Sequence, residues 1–218
     1  MKLARLLTAT VVLLVFSAPT YSDSVKDYIK WGTYTMVDVL SKDGMCDISS
    51  HKQVMISDNE FDQVVKNTNS SDGQPGSITN RACPDSIRNY NLVKGDLVLS
   101  FQTILDPKGN KVFKIAFEPP LLVLGRKLSK HKGVSQYTQL KQILPTGEVK
   151  SLPPRIYTTT TKESNQSLQG PNGNSWKDCV FSDITEDNAG TGFGLLYCKD
   201  VGPTVIHARK SKRLLVRQ

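Results

Sequence analysis

The chain lacks most of what would announce an activity. None of its cysteines sits in a C-x-x-C frame, and its three histidines occur in no H-x-H, H-x-x-x-H or H-E-x-x-H frame. No G-x-S-x-G nucleophile elbow is present either. These absences remove the usual sequence forms of zinc-finger, zincin and α/β-hydrolase chemistry. No internal repeat and no proline-rich linker divides the chain, which argues for one domain. Long apolar runs are scarce too. Past the first residues the longest is Leu121–Gly125, strand-sized against the roughly 20 residues a membrane-spanning helix needs.

The one longer apolar run opens the chain. MKLARLLTATVVLLVFSAPTYS, residues 1–22, sets Lys2 and Arg5 before an apolar stretch from Leu6 to Phe16 and small residues up to Ser22. That is the layout of a secretory signal peptide, with cleavage expected after Ser22 because Thr20 and Ser22 are small at the positions read by the peptidase. The mature chain, 23–218, is then expected to be secreted or periplasmic, or extracellular in a eukaryote, with no transmembrane segment.

Compartment decides how the cysteines read. Cys46, Cys83, Cys179 and Cys198 make an even set, which in an oxidising environment implies two disulfides. Three pairings are open, and Cys46–Cys83 with Cys179–Cys198 is favoured. The second pair has a geometric argument. Residues 177–184 and 193–199 read as strands around a polar tip. A hairpin centred between Asn188 and Ala189 sets Cys179 opposite Cys198 and Phe181 opposite Leu196. Zinc ligation by the four cysteines is the alternative, and their spacing disfavours it.

Charge is unevenly placed. Lys2 and Arg5 account for two of the 28 basic residues, leaving 26 against 20 acids and a net +6. Arg209, Lys210, Lys212, Arg213 and Arg217 lie in a C-terminal stretch without acids, so the body up to residue 200 is nearly neutral. A whole-surface field for nucleic acid is therefore not expected. A basic tail, about 207–218, and a basic run of Arg126, Lys127, Lys130, His131 and Lys132 are the candidate polyanion contacts. Aromatics interleave with neither, which argues against base stacking.

Strand signals dominate the remainder. Strands are expected at 32–40, 52–56, 97–105, 113–117, 121–127 and 155–161, and at 203–209 as a terminal edge. Asp106–Asn110 turns one hairpin, whose return strand Pro119-Pro120 should end. Pro145-Thr146-Gly147 turns another, between 138–144 and 148–152, with helix over 135–143 as the alternative. Residues 24–30 suggest a helical turn. Ser57-Asp58-Asn59-Glu60 has capping-box form, and Phe61, Val64 and Val65 follow at helical spacing, so 58–66 reads as a helix. Residues 67–80 and 162–175 read as polar loops. The sum is a mainly β fold: a single antiparallel sandwich or barrel-like domain with one short helix and two disulfides.

Candidate chemistry is thin. His51, His131 and His207 could serve a dispersed active site, although nothing in the sequence assembles one. Asp58, Glu60 and Asp62 suit a helix start better than a metal, and Asp183, Glu186 and Asp187 suit a turn. Gly190–Gly194 lacks the Lys-Ser/Thr ending and the helix of a phosphate loop. Asn69 and Asn165 head glycosylation sequons. The expected function is a non-catalytic extracytoplasmic binding or interaction protein, a host-directed factor or inhibitor, with a protein or glycan partner and no metal or cofactor. A secreted hydrolase with a dispersed His/acid site and a polyanion binder acting through the basic tail are the alternatives.

Overall fold

Strand formers alternating with polar residues set the local structure. The computed structural model describes residues 24–29, 31–38, 48–68, 84–106, 108–126, 128, 133–164, 168–169, 173, 175–187, 191–208 and 211–217. In chain order these form one 3-10 turn, η1 (Val25–Tyr28), then β1 (Gly32–Asp38), β2 (Ile48–Ser57), β3 (Glu60–Thr68), β4 (Ser86–Val93) and β5 (Asp96–Leu105). β6 (Lys111–Leu124), β7 (Val134–Ile143), β8 (Val149–Ser151), β9 (Arg155–Ser164), β10 (Leu168–Gln169) and β11 (Ser175–Trp176) follow. β12 (Cys179–Glu186), β13 (Thr191–Cys198), β14 (Gly202–Ala208) and β15 (Ser211–Arg217) complete them.

Hydrogen-bonded neighbours run β6, β5, β4, β3, β2, β1, β15, β14, β13, β12, β9, β7. β7 then pairs back onto β6, Gln139–Ile143 against Lys114–Glu118. The twelve strands thus form a closed antiparallel circuit of pairing. Closure leaves none of the twelve as a free sheet edge, the usual template for aggregation. β8 pairs only with β7, and β10 and β11 make a separate ribbon.

The core lies on the inward side of this circuit. Phe61, Tyr90, Leu97, Leu99, Leu121, Val123, Leu124, Val180, Ile184, Leu195 and Tyr197 pack there with Val25, Tyr28 and Ile29 from η1. Each such side chain contributes on the order of 1.5–3 kcal/mol when fully buried. Ser24 starts η1 with a capping box: its hydroxyl accepts from the Lys26 N–H at 3.2 Å, and the Asp27 carboxylate accepts from the Ser24 N–H at 3.0 Å. The Asp200 N–H donates to the Asp27 carbonyl at 2.8 Å and ties η1 to the turn between β13 and β14.

The late hairpin follows the expected register. Cys179 faces Cys198 and Phe181 faces Leu196 across β12 and β13, and the two cysteines are bonded with their Cα atoms 4.0 Å apart. One disulfide, not two, is present among the described residues; Cys46 and Cys83 lie outside them. The hairpin around Gly147 forms as expected between β7 and β8, so 135–143 is strand rather than helix.

Other expectations are corrected. Residues 58–66 form no helix: Asp58-Asn59 turns a hairpin into β3. Along β3, Phe61, Gln63, Val65 and Asn67 are buried while their neighbours are less so. The period is two, and Val64 belongs to the other face. Pro119-Pro120 does not end a strand, because β6 runs through to Leu124. The Gln136 side chain takes over the local bonding, donating to the Pro119 and Pro120 carbonyls at 3.2 and 2.6 Å and accepting from the Leu122 N–H at 3.2 Å. β14 is not a terminal edge, since β15 pairs with it on one side and with β1 on the other. Within 162–175, β9 extends to Ser164 and Leu168–Gln169 pairs with Ser175–Trp176.

Candidate binding cavity

Strand register lines up a row of polar side chains inside the circuit. Gln53 on β2 faces Gln63 on β3, and Gln63 faces Arg88 on β4. Facing residues of an antiparallel sheet project to the same side, so the two amides and the guanidinium stand together. The next row brings in Tyr34, whose hydroxyl accepts from Gln63 Nε2 at 2.6 Å. Tyr90 stands two residues beyond Arg88 on β4.

Gln53, Gln63, Arg88 and Tyr90 line a cavity of about 20 Å³, partly open to solvent. Phe61, Leu97, Leu195, Tyr197, Pro203, Ile206 and Ile29 of η1 complete its wall. By this measure a site of that size holds on the order of one water molecule, and its opening leaves room for part of a larger molecule outside it. An aromatic stack leads to it: Trp31, 43 % exposed, packs edge-on to Phe61 at 5.3 Å, and Phe61 stacks on Tyr90 at 5.2 Å.

The electrostatics are one-sided. Burial raises the Tyr34, Tyr90 and Tyr197 phenols above their ordinary range, and it outweighs the lowering influence of Arg88 on all of them. The phenols therefore stay neutral beside a guanidinium that is charged at any accessible pH. Arg88 is half-buried, and no carboxylate pairs with it among the described residues. Gln53 is 8 % exposed, and its Oε1 accepts no hydrogen bond among the described residues.

The residues singled out in the sequence fall elsewhere. His51 is fully buried, stacked on Tyr34 at 4.9 Å, with its Nε2 2.9 Å from Ser49 Oγ. Both His51 and Ser49 are sealed from solvent, so this pair meets no substrate in the observed conformation. His207 is exposed on β14, and His131 lies outside the described residues. Asn89 Nδ2 donates to Glu60 at 2.9 Å and to Asp62 at 3.0 Å, which spends that acidic pair internally. Asp58 sits in the β2–β3 turn. Glu186 pairs with Arg155, Asp187 accepts from Thr158 at 3.2 Å, and Asp183 is half-buried on β12. No group of three His, Cys, Asp or Glu side chains could hold a metal ion among the described residues.

Four of the nine basic candidates fall among the described residues. Arg126 braces the β4–β5 turn: its N–H donates to Asp96 at 2.6 Å and its guanidinium to the Lys94 carbonyl at 3.1 Å. Lys127, Lys130, Lys132, Arg209 and Lys210 lie outside the described residues, as do residues 1–22, Asn69, Asn165 and Gly190. Lys212, Arg213 and Arg217 belong to β15, facing His207, Ile206 and Thr35 respectively. Much of the expected tail is thus a sheet strand.

Sequence reading missed Arg88, Gln53 and Gln63 altogether. A signal existed: Gln63 sits between Phe61 and Val65 at strand period, which places a polar side chain on the core-facing side. Assigning that stretch to a helix hid it. Comparison of the chain with protein-family models, with curated proteins and with solved structures returned no match.

Proposed function

We propose that the mature chain is a non-catalytic, secreted or periplasmic binding protein built on a barrel-like domain whose interior cavity takes the ligand. One observation carries the reading: Gln53, Gln63 and Arg88 converge from three strands on a partly open cavity instead of giving way to hydrocarbon. Polar groups inside a core are costly unless they are used, and a few of them in an apolar, concave site is the usual composition of a ligand pocket. Among the described residues the lining contains no carboxylate, imidazole, thiol or serine, which supports binding over hydrolysis. The closed circuit of strand pairing supports a barrel-like over an open sandwich form.

A second disulfide, Cys46–Cys83, belongs to the same proposal. Ile48 pairs with Thr68, and Asn67 hydrogen-bonds Asp85 and the Pro84 carbonyl at 2.8 and 3.0 Å. The described residues flanking the two cysteines therefore converge. Both bridges suit the oxidising compartment that the leader implies.

Thermal denaturation against a panel of small molecules tests the binding reading. At least one compound is expected to raise the melting temperature of the wild type and to be recovered unchanged. Ile206→Phe, which fills the cavity from β14, is expected to abolish that shift. A panel without effect, a shift untouched by Ile206→Phe, or consumption of the compound would contradict it.

A further inference from the structure

We propose that the cavity is a site for a short 2-hydroxycarboxylate, with Arg88 taking the carboxylate and Gln53 Oε1 accepting from the hydroxyl. This rests on the binding reading above and names the ligand class.

A guanidinium keeps its proton even when partly desolvated, and its planar fork matches a carboxylate through two parallel hydrogen bonds. Unpaired charge in a low-dielectric interior is expensive, so such a group calls for an anion. Among the described residues the wall supplies none. The polar groups near Arg88 are the amides of Gln53 and Gln63, that of Gln102 facing it from β5, and phenols that burial keeps neutral. An incoming carboxylate would be the first counter-charge on that wall.

The second requirement is a donor. Gln53 is more than nine-tenths buried and lines the same cavity, with Oε1 bonded to nothing described. A bare carboxylate offers this oxygen only repulsion. A hydroxyl on the adjoining carbon satisfies it, whereas an ammonium there would place a second cation beside Arg88. Size limits the rest of the molecule. The cavity is small and partly open, which favours the shortest members of the class.

Calorimetric titration of the mature protein at low salt with glycolate, acetate and glycolamide tests the assignment. Glycolate is expected to bind, acetate about tenfold more weakly for want of one hydrogen bond, and glycolamide not measurably. Arg88→Met should abolish binding of both acids. Gln53→Met should bring glycolate down to the affinity of acetate. If either variant fails to fold, the wild-type ranking of the three probes still decides. Equal affinity for glycolate and acetate, or for glycolate and glycolamide, would overturn the assignment. So would failure of all three while neutral compounds still stabilise the wild type and not Ile206→Phe; that result leaves the binding reading standing. If nothing stabilises the wild type, both readings fall together.

Discussion

At the scale of single residues, the interior is governed by what burial does to polar atoms. Tyr34, Tyr90 and Tyr197 each carry a hydroxyl into the core, and desolvation is the largest influence on each, raising their pKa values. A phenol whose pKa is higher in the folded state than the unfolded value of about 10 contributes stability that is fully present below that pH and lost as pH climbs through the folded value. Alkaline titration should therefore withhold part of the tyrosinate absorbance until circular dichroism reports unfolding. Complete ionisation by about pH 11 with the fold intact would contradict the buried placement. Arg88 was not legible at this scale from the sequence, because an arginine in a strand is ordinarily exposed and only register with Gln63 reveals its inward face.

At the scale of elements, period and register explain both the successes and the misses. The Cys179–Cys198 hairpin was readable because two cysteines and an apolar pair agreed on one register. Residues 58–66 misled because Ser57-Asp58-Asn59-Glu60 serves equally as a hairpin turn, and Phe61, Val64 and Val65 fit a helical stripe as well as part of a strand. Tertiary pairing decided between them. Pro119-Pro120 misled for a different reason: prolines remove ladder donors, but a side chain from a neighbouring strand can supply the missing partner. Gln136 does so with both ends of its amide. Gln136→Leu should thus cost about 0.5–1.5 kcal/mol, the net worth of an ordinary hydrogen bond, because the freed Pro119 and Pro120 carbonyls are open to water. Each 1 kcal/mol lowers the melting temperature by roughly 2–4 °C for a chain of this size. An unchanged melting temperature would show that the amide is dispensable and that β6 is held through the prolines by other contacts.

At the scale of the whole molecule, closure of the pairing circuit is what creates an inside. The fold class was legible from alternating patterns and turn residues, but closure was not. It depends on β6 splitting its partners between β5 and β7, and on β15 inserting between β1 and β14. The basic C-terminal stretch concealed the latter. Its charges suggested a free tail, whereas its backbone completes the sheet from Ser211 to Arg217. With the circuit closed, Gln53, Gln63 and Arg88 line a small cavity, and the proposed binding function rests on that placement. The most direct test follows the Arg88 Nε–H resonance by nitrogen-edited NMR, assigned by its loss in Arg88→Lys, as glycolate is added to the protein. A saturable shift that glycolamide does not produce is expected. A resonance that stays in place, or that drifts equally and without saturation for both compounds, would contradict it.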